Sequence, residues 1–150
     1  MWAAFSYLAL AIVFIIAAIR VETVYFALFF YWTALSLLLV SGAYFFNIAR
    51  IFRKRENGVI PIYIRWAFIP FLLGAQLYNA WSRKHDKVPP LQQINEHLFL
   101  ACRLFPSDID TMKEMGITAI LDVTCEFDGL EWSSTQENIR YLNIPVLDHS

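Results

Sequence analysis

Two uninterrupted runs without a charged side chain limit what this sequence can fold into. Residues 3–19 (AAFSYLALAIVFIIAAI) and 24–46 (VYFALFFYWTALSLLLVSGAYFF) contain no Asp, Glu, Lys or Arg. As helices they measure about 25 Å and about 35 Å at ~1.5 Å per residue, against a hydrocarbon core of about 30 Å. A soluble helix pair of that length would carry a polar face, and neither run has one. The connector Arg20-Val21-Glu22-Thr23 is short enough to force an antiparallel hairpin. A signal peptide is the rival for the first run, but no Lys or Arg precedes it to form the charged leading region.

A third hydrophobic segment, residues 59–81, is of another kind. It contains Pro61, Arg65, Pro70, Gly74, Gln76 and Asn79. A central arginine costs a few kcal/mol on insertion, and two prolines disfavour a straight helix. The segment is therefore expected to be a kinked span, or a re-entrant or interfacial stretch. Flanking charge bears on the choice. Arg50, Arg53, Lys54 and Arg55 precede it, and Arg83, Lys84 and Lys87 follow it. Basic loops favour the cytoplasmic side, and both can lie there only if the third segment does not cross. The expectation is a multi-pass protein of the cytoplasmic (inner) membrane with its soluble segment in the cytoplasm. Trp2, Tyr44, Tyr63, Trp66, Tyr78 and Trp81 sit at segment edges, which suits headgroup depth or ordinary packing.

Charge divides the chain at the same place as hydropathy. Up to Lys87 there are nine Lys/Arg and three Asp/Glu; from Val88 onward there are three and ten. The net charge of −1 is thus the sum of a basic membrane part and an acidic remainder. An acidic module lacks the clustered cations that nucleic acid requires, so no nucleic-acid partner is expected. The basic residues beside the hydrophobic runs have the bilayer's anionic headgroups as partner. The two cysteines, Cys102 and Cys125, form no CxxC and have no histidine at zinc-ligand spacing, so neither metal nor cofactor is expected.

Three parts follow: a membrane domain over 1–87, a linker over 88–93 stiffened by Pro89-Pro90, and an α/β segment over 94–150. Residues 97–104 (HLFLACRL) read as a strand. Ser107 is a suitable N-cap, with Asp108 and Asp110 in the first turn and Gly116 closing the helix. Residues 117–124 (ITAILDVT) form a buried strand pattern, 125–129 a loop and 130–138 a short polar helix. Residues 140–147 (RYLNIPVL) make another strand, whose Pro145 suits an end or edge position. Three strands and one or two helices give a thin core, so the α/β unit reads as partial.

The ordered pieces LFLACRLFPSDIDTMKEMGITAILDVTCEFD and IRYLNIPVLDHS resemble the N-terminal half of the dual-specificity, cysteine-dependent phosphatases, here joined to a bacterial-type membrane anchor. The likeness covers residues 94–150. It implies a mostly parallel sheet flanked by helices and a His-Cys-x5-Arg loop at a helix N-terminus. There the helix dipole and backbone N–H groups stabilise a thiolate that attacks phosphorus. These 150 residues do not contain that loop: six positions beyond Cys102 stands Asp108, and six beyond Cys125 stands Glu131. The resemblance places its general-acid aspartate at Asp148, after Tyr141-Leu142-Asn143-Ile144-Pro145-Val146-Leu147. Asp122 reads as a hydrogen-bonding strand residue, Glu126 and Asp128 as a solvated loop pair, and His97 and His149 as surface histidines.

The fold class expected is a membrane α-helical hairpin, two spans plus a third hydrophobic segment, followed by a partial α/β domain of phosphatase type. The function expected is that of a membrane-anchored phosphatase-like protein, inactive without the cysteine loop. Its substrate would be a phosphorylated protein or a phospholipid headgroup at the bilayer. The alternative is a non-catalytic membrane protein whose acidic α/β segment binds a partner. A transport role built on Arg65 lacks a second polar group at depth.

Overall fold

In the computed structural model, residues 2–85, 89, 91–104, 108–127, 129 and 139–147 are described. The two uncharged runs are helices, α1 (Trp2–Arg20) and α2 (Val24–Phe45), each long and apolar enough to cross a membrane. They are antiparallel: Ser41 Oγ donates to Ala4 O at 2.8 Å, and Phe5 meets Phe45 edge to face while Phe14 packs beside Phe30. The α1 seam is made of Ala4, Ala11 and Ala18, one small side chain every seven residues, all buried. Small seam residues let two backbones approach closely, which is how helices associate where lipid removes any hydrophobic advantage. Their outward side chains, such as Val13, Ile16, Phe26 and Leu28, are exposed.

After α2 the chain leaves through Asn47 and Arg53, both at positive φ, with a 3-10 turn (Ala49–Phe52) between them. Residues 62–85 then form α3 (Ile62–His85), an unbroken helix of 24 residues. The prolines that disfavoured a straight helix are accommodated differently. Pro61 stands before the first turn, where a missing N–H costs nothing, and its carbonyl accepts the Arg65 N–H at 2.9 Å. Pro70 lies inside the helix and removes one hydrogen bond. The burial of Phe68, Phe71 and Leu72 on either side of it offsets that loss. Helix α3 runs along the hairpin antiparallel to α1. Trp32 Nε1 donates to Ala67 O at 3.1 Å, and Phe71, one turn on, meets Tyr7 edge to face. Unlike α1 and α2, α3 is too polar to qualify as a span by length and composition.

Among the described residues the α/β region holds two small two-stranded sheets. The first is an antiparallel hairpin of β1 (Leu91–Asn95) and β2 (Leu98–Ala101). Most of β1 falls in the expected linker, and the strand expected from His97 starts one residue later. Instead Glu96 and His97 form the turn, where Asn95 Oδ1 accepts the His97 N–H at 2.9 Å. Helix α4 (Ile109–Glu114) is preceded by Asp108, whose side chain makes no capping bond; the expected cap Ser107 lies outside the described residues. It ends at Gly116 as expected: φ is +69°, and the Gly116 and Ile117 amides bond back to Lys113 O and Met112 O.

The second sheet pairs β3 (Ala119–Thr124) with β4 (Arg140–Val146) in parallel, Leu121 opposite Leu142 and Asp122 opposite Asn143. Its inner face carries Asp122, Thr124, Tyr141 and Asn143, whereas Leu121, Val123, Leu142 and Ile144 on the outer face are exposed. The residues that follow the strands, Cys125 and Leu147, are buried in one apolar cluster with Phe52, Ile60, Phe68 and Phe71. That cluster joins the α/β region to the helices. The expected helix over 130–138, and Asp128, Glu131, Asp148 and His149, lie outside the described residues.

Candidate functional site

Where the inner face of the parallel sheet meets the basic connector, five polar side chains converge. Lys54 enters from the connector with a fully buried side chain. Its ammonium has three protons and three acceptors: Asp122 Oδ2 at 2.6 Å, Thr124 O at 3.1 Å and Thr124 Oγ1 at 3.1 Å. Asp122 is equally occupied. Its Oδ1 accepts the Thr124 amide and hydroxyl, both at 2.8 Å, and its Oδ2 also accepts the Tyr141 hydroxyl. Asn143 Nδ2 donates to Asp122 O and Thr124 O, at 2.8 and 2.9 Å.

The electrostatics follow from these partners. Burial pushes the Asp122 carboxyl upward, but the Lys54 ammonium, the Tyr141 hydroxyl and the Thr124 amide together hold it below the usual carboxylate range. Burial and the donated hydrogen bond to Asp122 both raise the Tyr141 phenol. Every charge here is compensated, so the cluster is a clamp rather than a proton-transfer device. Backbone bonds extend it: Asn143 N donates to Glu56 O at 2.9 Å and Gly129 N to Gly58 O at 2.7 Å. Gly58 is at φ +81°, and a Cβ there would stand 2.7 Å from Tyr141 Oη and 2.9 Å from Gly129 Cα. Only glycine fits so close an approach.

A second clamp ties the end of α3 to the same region. Arg83 Nη2 is 2.6 Å from Asp108 Oδ1, and Nη1 donates to Arg103 O at 3.1 Å. Asp108, at the start of α4, thus holds the end of α3 through an ion pair.

Two concavities adjoin the first clamp. One, of about 120 Å³, lies over the inner sheet face between Cys102, Asp122, Phe127 and Tyr141. The other is an open groove of about 1060 Å³ between the connector and β4, lined by Arg50, Arg53, Arg55 and Glu56 and by Asn143 to Pro145. Three exposed guanidinium groups against one carboxylate make it an anion-attracting surface. Arg53 also donates to the Tyr63 hydroxyl at 3.0 Å.

The expected site residues fare unequally. Asp148 lies outside the described residues, although its neighbour Leu147 ends β4 in the apolar cluster. Both cysteines are free thiols: Cys125 is buried, and Cys102 is exposed after β2. Cys125 Sγ donates to Glu126 Oε2 at 3.1 Å, so Glu126 is not simply solvated. Asp122 is the hydrogen-bonding strand residue anticipated. Lys54 was counted among cations facing lipid; in fact it is buried in the clamp. Nothing local distinguishes it from Arg53 and Arg55, because its partner lies 68 residues away. Among the described residues no group of His, Cys, Asp and Glu is arranged to hold a metal. Comparison with protein-family profiles, curated proteins and solved structures returns no match.

Proposed function

We propose that this chain is a membrane-anchored, dual-specificity-phosphatase-like protein that presents its α/β region to phosphorylated groups at the bilayer, with the cysteine loop lying outside these 150 residues. The observation that carries the reading is the parallel β3–β4 pair, formed by the two segments on which the phosphatase resemblance rests. The arginine groove beside β4 adds a surface suited to phosphate oxygens at the foot of the membrane helices. In this reading Asp148, just beyond β4, is the general acid, and the substrate is a phosphoprotein or phospholipid headgroup in the cytoplasmic leaflet.

The test is p-nitrophenyl phosphate hydrolysis. The 150-residue chain should show none. A product extended by its own downstream codons, if they encode His-Cys-x5-Arg, should turn over and lose all activity on substitution of that cysteine. In that product Asp148→Asn should lower kcat by roughly 10²- to 10⁴-fold. A stop codon directly after Ser150, or turnover by the short chain, would overturn the proposal.

One observation favours the second reading, a non-catalytic partner-binding module. The outer face of the β3–β4 sheet is apolar and exposed at Leu121, Val123, Leu142 and Ile144. Parallel sheets are ordinarily covered on both faces. On the phosphatase reading the remainder of the domain covers this face; on the second reading another protein does.

A further inference from the structure

The two walls of the arginine groove belong to different parts of the chain. Arg50, Arg53, Arg55 and Glu56 line one side; Asn143, Ile144 and Pro145 of β4 line the other. The clamp behind them holds the walls together, through Lys54 Nζ to Asp122 Oδ2 at 2.6 Å and Asn143 N to Glu56 O at 2.9 Å. Lys54 stands between Arg53 and Arg55, and while it is buried both neighbours are exposed. Arg53 is fixed further by its turn at φ 48° and by its bond to the Tyr63 hydroxyl. The groove therefore exists only while the α/β region is docked on the connector.

Docking also concentrates charge. Among the described residues the guanidinium groups of Arg50, Arg53 and Arg55 have no ion-pair partner, and Glu56 is the one carboxylate lining the groove. Three like charges held around one space repel, and an anion between them removes that cost. Phosphate oxygens suit it, because a guanidinium offers two parallel N–H donors to them. On an undocked connector a ligand would first have to gather the arginines, at a cost in conformational entropy. Undocking frees Lys54 as a further cation, but frees the Asp122 carboxylate with it.

The surroundings say where the phosphate comes from. Helix α2, long and apolar enough to cross a membrane, ends at Phe45, shortly before Arg50. Phe46 and Ile48 beside it are exposed, as are Ile62, Tyr63 and Trp66 at the start of α3. Cations rimmed by exposed aromatic and aliphatic side chains suit the headgroup layer of a bilayer better than a soluble phosphopeptide.

We infer that the groove binds the phosphate of an anionic phospholipid headgroup, and that the bound headgroup locks the α/β region onto the connector. A ligand that prefers the docked form shifts the docking equilibrium by the factor 1 + [L]/Kd, about tenfold at ten times Kd. Headgroup binding needs no turnover, so an extended product without phosphatase activity would leave it standing.

The experiment follows amide exchange of Asn143 and Gly129, which bond across the junction to Glu56 O and Gly58 O. The full chain is placed in nanodiscs of phosphatidylcholine alone or of phosphatidylcholine with phosphatidylglycerol. Both amides should exchange at least threefold more slowly in the anionic nanodiscs. Arg50→Gln/Arg55→Gln should match wild type in neutral lipid and lose that increment. The variant experiences the same surface pH as wild type, so the comparison isolates the arginines. Inorganic phosphate added to neutral nanodiscs should change exchange less than twofold. Equal exchange of the wild type in the two lipids, or an undiminished increment in the variant, would overturn the inference. Faster exchange in anionic lipid would do so too, since lipid would then compete with Asp122 for Lys54. An equal increment from inorganic phosphate would assign the groove to a soluble anion and overturn the lipid assignment. Should the variant lose protection in neutral lipid, the wild-type comparison decides alone.

Discussion

Removing the Lys54 ammonium is the most direct test of how the α/β region is held. Lys54→Met keeps most of the stem's volume but deletes the three hydrogen bonds to Asp122 and Thr124. The Asp122 carboxylate then remains largely covered, with a side chain 16% exposed and its counter-ion gone. Breaking a buried pair from one side costs about 3–5 kcal/mol. At ~1.4 kcal/mol per decade, docking should weaken at least 10²-fold. Hydrogen exchange reads this locally, because the Asn143 amide is bonded to Glu56 O and the Gly129 amide to Gly58 O across the junction. Both should exchange at least 10²-fold faster, while α1 and α2 are unaffected. The double variant Lys54→Met/Asp122→Leu should recover part of the protection, since no unpaired charge is left. If Asn143 exchange changes less than threefold in Lys54→Met, the clamp does not hold the junction and the electrostatic argument fails.

Other expectations follow from the same geometry. The folded Asp122 carboxyl lies below its ordinary value. Its stabilisation is complete above about pH 4 and is lost only as pH falls through the lower folded value; junction protection should therefore persist to mild acid and collapse below it, a profile that Asp122→Asn should flatten. The Tyr141 phenol is raised, so its contribution is complete below about pH 10 and is lost only above it. Phenolate absorbance at alkaline pH should accordingly show no titration difference between wild type and Tyr141→Phe until well above the ordinary tyrosine range. Gly58→Ala should destabilise the junction by about 1–3 kcal/mol through its positive φ and its approach to Tyr141, measured by Asn143 exchange with helix content unchanged. A reporter fused at Lys87 should signal cytoplasm; a signal from the opposite side would mean that α3 crosses.

Much of the architecture could be read before any coordinates, for a plain reason. A charge-free run of 17 or 23 residues has few alternatives to an apolar helix, and a four-residue connector leaves only an antiparallel pair. The alanine seam at 4, 11 and 18 was not read from the sequence, because its meaning needs the partner helix. Gly116 could be read because helix termination there is local: a left-handed residue and two backbone bonds. Residues 91–95 were harder. Their sequence, LQQIN, carries little strand propensity, and only pairing with β2 makes them a strand.

The hairpin that opens the sequence is thus a product of composition and spacing, properties each short stretch carries alone. What the tertiary structure decided was everything that depends on residues far apart. It chose one of three consecutive cations, Lys54, for burial against Asp122 and left Arg53 and Arg55 facing outward. Helix α3 survived Pro70 because packing against α1 and α2 offsets one lost hydrogen bond. Hydrophobic runs are summed locally, but a buried charge is tolerated only where a specific distant partner neutralises it, and that partner is chosen by the fold.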